Sequence, residues 1–260
     1  MISKVGIVVP TLGRRPEFLR QCLESIRAAG QAHILLVAPD SFDPNKQLPS
    51  DLFDQLVIDP GAGLSEAINL GVANLPNSVE LINWLGDDDV LTKGSLAIAE
   101  HTLESSTDLV MVFGSCDYID AAGRVIWSNR SGQWAVPLLR FGPDLIPQPG
   151  ALFRRAAFNK AGALKSKFDW AFDFDLFIEL SKLGKLKFVD KTLAQFRWHP
   201  ESLSVEFRNK SVSEASQVRV SHLPGPLRPI SFLWEYPIRQ ATLVAGKRVT
   251  ARANSKAQKR

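Results

Sequence analysis

Three consecutive carboxylates, Asp87-Asp88-Asp89, follow the largely apolar stretch Val79–Leu85 and a single glycine, Gly86. Adjacent like charges repel, and keeping them together costs stability unless a cation neutralises them. All-oxygen donors suit Mg²⁺ or Mn²⁺, which proteins hold with one or two carboxylates and which substrate phosphates and water complete. A competing reading makes the acids a helix cap or a solvated turn. Their place at the end of an apolar strand, where ligands bind in open α/β sheets, favours a metal.

A second group alternates acids with aromatics: Phe172-Asp173-Phe174-Asp175-Leu176, just ahead of an amphipathic run. A carboxylate shielded by Phe172 and Phe174 would have a raised pKa and suit general-base work, whereas one of the two acids could equally cap the helix. A third group, Arg197-Trp198-His199-Pro200-Glu201-Ser202, brings a cation, an aromatic ring and an imidazole together, fit for a phosphate, a sugar face or a metal. Pro10-Thr11-Leu12-Gly13-Arg14-Arg15 directly follows the first apolar run, so its amides and arginines could meet a nucleotide or its phosphates.

These groups need a scaffold. Val5–Val9, His33–Val37 and Gln55–Ile58 read as strands, with a helix over Pro16–Ala29 that Pro16 starts and Gly30 stops. Ser65–Ala73 reads as a helix capped by Ser65, followed by a strand over Val79–Leu85 and a helix over Lys93–Leu103. Beyond it Leu109–Phe113 and Arg124–Ser128 read as hairpin arms about the turn Asp120–Gly123. Trp134–Gly150, rich in Pro and Gly, reads as a long loop lining the site. Phe153–Ala161 and Phe174–Leu183 read as helices, Lys187–Val189 as a short strand and Leu193–Trp198 as extended chain. The expected fold class is α/β, with a Rossmann-like, mostly parallel central sheet, flanking helices and a smaller antiparallel part.

With 260 residues, 45% of them apolar, the chain can bury one substantial core. Cys22 and Cys116 sit far apart among apolar neighbours, which reads as reduced thiols and a cytosolic address. There is no apolar run of about 18 residues and the first strand begins at Val5, so neither a membrane span nor a signal peptide is expected. The expected division is a domain over 1–222 and a basic tail over 223–260. Beyond Ser221 the tail carries Arg228, Arg239, Lys247, Arg248, Arg252, Lys256, Lys259 and Arg260 against one acid, Glu235. Such a tail is either a solvated end or a surface for anionic head groups, with Leu233 and Trp234 laid on the bilayer.

In order, these segments resemble the family-2 glycosyltransferases of the GT-A fold over roughly Val5 to Val205. Val8-Val9-Pro10-Thr11 is similar to that family's nucleotide-binding start. Glu66-Ala67-Ile68-Asn69-Leu70-Gly71 resembles the helix before its metal strand, and Asn83 through Asp89 resembles its DXD-type segment. The resemblance implies that Asp89 binds the metal and Asp88 the metal or ribose, with Asp87 a less direct participant. Gln148-Pro149-Gly150 resembles an acceptor-side segment of bacterial members, and Asp173 matches the catalytic base. Phe196-Arg197-Trp198-His199 resembles the family's Arg-x-His ending. One departure is that the usual base-reading acids after the second strand are replaced by Val37-Ala38-Pro39-Asp40-Ser41, which leaves Asp40 to take that role.

The resemblance therefore implies an inverting, Mn²⁺- or Mg²⁺-dependent transferase in polysaccharide or glycolipid synthesis, while the thiols and the basic tail lead to an expected place in the cytoplasm or peripherally on the inner face of the cell membrane. It would act on a nucleotide-diphosphate sugar and a saccharide or lipid-linked acceptor, with no nucleic acid as substrate. On that basis Asp173 is the expected catalytic residue, and Pro10, Thr11, Arg14, Asp40, Asn69, Asp87 and Asp88 the expected donor contacts. Gln148, Gly150, Asp175 and Arg197 are expected on the acceptor side, and Asp88, Asp89 and His199 at the metal. The rivals are a nucleotidyltransferase, for which Leu12-Gly13-Arg14-Arg15 is a poor phosphate loop, and a non-catalytic nucleotide-sugar-binding domain.

Overall fold

A computed structural model describes residues 3–198 and 208–257. Its first half follows the sequence pattern closely. β1 (Val5–Pro10), β2 (His33–Ala38) and β3 (Gln55–Ile58) pair in parallel in the order β3-β2-β1. Val5 to Val9 are all buried, as expected of a strand covered on both faces. Helix α1 (Pro16–Ala29) buries Leu19, Cys22, Leu23 and Ile26 at helical spacing, with Pro16 in its first turn. A one-turn helix, α2 (Pro44–Gln47), sits between β2 and β3.

Helix α3 (Leu64–Asn74) starts one residue earlier than expected; Gly63 rather than Ser65 stands at its N-cap, and Ser65 is buried in the first turn. β4 (Leu81–Trp84) pairs in parallel with β1, shorter than the expected Val79–Leu85, because the acidic turn begins at once after it. A two-residue β5 (Val90–Leu91) and α4 (Ser95–Glu104) follow.

The second half departs further. β6 (Leu109–Ile119) and β7 (Val125–Asn129) form the expected hairpin, with β6 running well past Phe113. Part of the expected loop Trp134–Gly150 is helix α5 (Gly132–Leu138), and a single 3₁₀ turn covers Gln148–Gly150. The expected helix Phe153–Ala161 is instead β8 (Ala151–Arg154) and then α6 (Arg155–Lys160). The apolar run Ala151-Leu152-Phe153 fills the slot between β4 and β6, antiparallel to both. After α7 (Phe172–Leu183), β9 (Lys185–Arg197) absorbs both short extended pieces and pairs in parallel with β6 along its length.

The nine strands form one sheet in the order β3-β2-β1-β4-β8-β6-β9-β5, with β7 on β6. Helices cover both faces: Ile7 and Val9 face α1 and α4, while Val8 and Phe153 face α3, α6 and α7. This is the expected mixed α/β class, with an antiparallel portion entering at β8. Two helices complete the described chain: α8 (Arg208–His222) and α9 (Phe232–Ala257), the latter one continuous helix where short amphipathic pieces over Ile230–Tyr236 and Ala241–Val249 are the sequence expectation. Cys22 and Cys116 are free, buried thiols.

Candidate functional site

The carboxyl ends of β1, β3 and β4 open into a cleft of roughly 1060 Å³. The acidic turn forms one wall. The Thr11 hydroxyl donates to Asp87 Oδ2 at 2.7 Å, and the Arg15 guanidinium spans Asp87 Oδ1 at 3.4 Å and Asp88 Oδ2 at 3.1 Å. The Asp89 carboxylate is buried and accepts the Arg197 backbone N–H at 3.0 Å. Burial, and then Asp88 beside it, push its pKa well above the ordinary value, which the Arg197 amide only partly offsets.

Arg197 itself lies under this turn. Its side chain is buried, with Nε donating to the Asp88 carbonyl at 2.9 Å and Nη2 to Gln21 Oε1 at 2.9 Å. Nη1 donates to the Asp120 and Ala121 carbonyls, and the guanidinium stacks 4.4 Å from the Phe18 ring centre. Arg197, expected on the acceptor side, is thus placed as a clamp on the backbone of the acidic turn.

The opposite wall comes from the start of α7 and the segment before the 3₁₀ turn. Asp173 lines the cleft among Trp170, Ala171 and Phe172, with the Phe174 amide donating to its Oδ1 at 2.8 Å. Burial raises its pKa to about 6 against the opposing pull of that amide. Asp144 shares the wall; enclosure within the cleft and then the charge of Asp173 push its pKa well up. Sequence reading missed Asp144, which sits in the segment read only as a loop. Among the described residues no lysine or arginine pairs with Asp173. Arg219 also lines this wall, but Glu235 takes its charge through two bonds of 2.8 and 2.7 Å.

The other expected residues divide into those on the cleft and those behind it. Pro10, Thr11, Arg14, Asp87, Asp88, Asp89, Asp173 and Gln148 line it. The Gln148 amide is committed to Asn83 Oδ1 and the Trp84 carbonyl, both at 2.9 Å, so it fixes the end of β4. Gly150 is buried behind the lining, against Leu193 and Ala194. Asn69 turns the other way and pairs with both backbone groups of Leu164, at 2.8 and 3.1 Å. Asp175 is buried between Lys165 at 2.7 Å and His222 at 2.8 Å. Burial opposes its ionisation, yet those two donors outweigh it and hold the carboxyl below its usual value. This is a charge cluster joining α7 to α8. His199 lies outside the described residues.

Asp40 is exposed and off the lining, and Asp59 at the end of β3 lines the cleft in its place. Its Oδ1 accepts the Gly61 N–H at 2.9 Å, in a loop where Gly61 and Gly63 both take positive φ. Its position directly after a strand was the available signal.

Among the described residues no group of three or more His, Cys, Asp or Glu side chains surrounds one metal position. Two carboxylates do converge: Asp88 Oδ1 and Asp89 Oδ2 lie 3.1 and 3.2 Å from the point where a Cβ on Gly86 would stand. That pair fits an ion whose remaining ligands are phosphate oxygens and water.

No family model matches the sequence. An uncharacterized glycosyltransferase, RC0461 of Rickettsia conorii, is 24% identical over 160 residues, covering 56% of this chain and 25% of its own. The chain spans between 25% and 29% of the length of the curated relatives it matches. Among solved structures, the mannosyltransferase PcManGT from Pyrobaculum calidifontis, in complex with GDP-Man and Mn²⁺, superposes with a TM-score of 0.63 at 14% identity, over 98% of this chain and 79% of that one. S. aureus TarS superposes at 0.61 and 12% identity, over 88% of this chain and 42% of its own. The chain shares the fold of these structures.

Proposed function

We propose that the chain is an inverting glycosyltransferase, moving a sugar from a nucleotide-diphosphate donor to an acceptor hydroxyl in the synthesis of a cell-surface polysaccharide or glycolipid. The observation that carries this is the pairing of an acidic turn, at the ends of β1 and β4, with an uncompensated carboxyl, Asp173, in the facing wall of one cleft. The shared fold with a structure holding GDP-Man and Mn²⁺ supports it.

In this reading Pro10 and Thr11 bound the nucleotide end of the cleft, with Asp59 in the base-side position first given to Asp40. Arg14, exposed at the rim, offers a cation to the diphosphate. Asp88 and Asp89 would hold a divalent cation, Mn²⁺ or Mg²⁺, whose chemistry is to neutralise the charge that builds on the departing diphosphate. Asp173 accepts the proton of the acceptor hydroxyl as that oxygen attacks the face of the anomeric carbon opposite the diphosphate. The carbon–oxygen bond to the sugar forms as the bond to phosphate breaks, so one displacement inverts the centre. Thr11, Arg15 and Arg197 do no chemistry; they hold the acidic turn in place.

Residues 1–222 are assigned to the catalytic domain, with 223–260 as an appended segment whose helix α9 reaches the cleft through Thr242. The test is transfer from UDP-, GDP- and dTDP-sugars with and without Mn²⁺, alongside thermal shift. One nucleotide giving a metal-dependent shift and product of inverted configuration is the expected result. No shift with any donor would favour a non-catalytic domain, and retained configuration would remove Asp173 from the role of base in a single displacement.

A further inference from the structure

Helix α9 has two unlike faces. Glu235 is buried and paired with Arg219, and Thr242, two turns further on, lines the cleft. On the other side Phe232, Leu233 and Tyr236 are 63–68% exposed, and Val244 continues the same stripe at helical spacing. Large apolar side chains exposed together in this way mark an interaction surface.

A second exposed set lies close by. Trp134, Leu138 and Phe141 recur at helical spacing on α5 and just beyond it, each at least 41% exposed. Arg219 joins the two sets: it donates to the Gly142 carbonyl, one residue past Phe141, and to Glu235, one residue before Tyr236.

On these two segments the exposed charges have one sign. Arg140, Arg239, Lys247 and Arg248 are exposed. Glu235, the only acid beyond Ser221, is turned inward and neutralised. Aromatic and aliphatic side chains bordered by cations, with no exposed acid on the helix, complement a layer that is apolar inside and anionic at its surface.

We infer that the exposed face of α9, with the end of α5, seats the protein on a lipid surface carrying anionic head groups. Phe232, Leu233 and Tyr236 enter the interface, while Arg239, Lys247 and Arg248 meet the phosphates. Through Thr242 the opposite side of the same helix reaches the cleft. This inference stands apart from the transfer chemistry and would survive its failure.

Co-sedimentation of the full chain with vesicles of phosphatidylcholine alone, and of phosphatidylcholine mixed with phosphatidylglycerol, tests it. Each basic residue at an anionic surface strengthens binding roughly fivefold. Binding to the mixed vesicles should therefore be at least about tenfold tighter and weaken with added salt. The triple variant Phe232→Ser/Leu233→Ser/Tyr236→Ser alters only exposed positions. It should keep the wild-type melting temperature and lose at least about tenfold in vesicle binding. Equal binding to both vesicle types, or undiminished binding by the variant, overturns the inference. So does light scattering that shows a dimer of the wild type, dissociated by the triple substitution, with no vesicle binding; that result assigns the face to a second copy of the chain.

Discussion

The two walls of the cleft treat their carboxylates in opposite ways. On the acidic turn, donors converge on each acid: Thr11 and Arg15 on Asp87, Arg15 on Asp88, and the Arg197 amide on Asp89. On the facing wall Asp173 accepts the Phe174 amide, its charge raises the neighbouring Asp144, and Arg219, which lines the same wall, is committed to Glu235. One wall fixes its acids with donors, although burial and Asp88 still raise Asp89; the other leaves Asp173, raised to about 6, with no lysine or arginine partner among the described residues. That division is what a reaction needs when it must bind a cation and a diphosphate on one side and deprotonate a hydroxyl on the other.

The sharpest way to break the comparison is Asp173→Asn. If the facing wall supplies the base, turnover should fall by about 10²–10⁴-fold. The donor-induced thermal shift in Mn²⁺ should persist, because the acidic turn is untouched. Unchanged turnover would dissolve the distinction between the walls.

Next in size is the clamp. Arg197→Ala strips the Asp88, Asp120 and Ala121 carbonyls of their donor and leaves a buried void, a loss of roughly 3–5 kcal/mol in urea unfolding. A change below about 1 kcal/mol would mean that the turn holds its shape without the guanidinium.

The third prediction is a pH profile. With Asp173 titrating near 6, kcat/KM should fall about tenfold per pH unit below that value and level off above it. Burial raises Asp173, whose charge in turn raises Asp144, so Asp144→Asn should leave the midpoint near 6. A midpoint that falls in Asp144→Asn would mean that Asp144 ionises before Asp173.

The same shift has a stability consequence. Asp173 is raised in the fold, so its contribution is fully present below the unfolded value near 3.8 and is lost as pH rises through about 6. Asp173→Asn should therefore melt above wild type at pH 8 and converge with it in acid; a lower melting temperature at pH 8 would place Asp173 among structural groups. The smallest effect is expected at the base-side rim, where Asp59→Asn should raise the donor KM several-fold with kcat retained. A fall in kcat instead would tie Asp59 to the reaction.

The sequence was most readable where local signals agree with tertiary ones. Pro16, Gly30 and the spacing Leu19, Cys22, Leu23, Ile26 define α1, and the acids after Trp84 stand out because a strand ends there. Ala151-Leu152-Phe153 could not be told from a helix start, since a short apolar run has no diagnostic period; its neighbours in the sheet decide it. β9 was read in pieces because most of its positions are only partly buried, which blurs alternation, while its pairing with β6 is visible only in three dimensions. Arg197 and Asp175 were read as site residues by their types, yet burial on all sides turned both into fasteners. Arg219 and Glu235 gave no local signal at all, because they lie on different helices and matter only once desolvated together.

The clamp also bears on the order in which the molecule is made. Asp89 and Arg197 are 108 residues apart, and Arg197 ends β9, whose parallel pairing with β6 closes a long stretch of chain. Contacts of such separation form late, after local helices and turns. A chain emerging from the ribosome therefore carries three neighbouring acids well before it has the arginine that organises them. The acidic turn gains its clamp only when the final strand docks, and chains that stop short of Arg197 lack it.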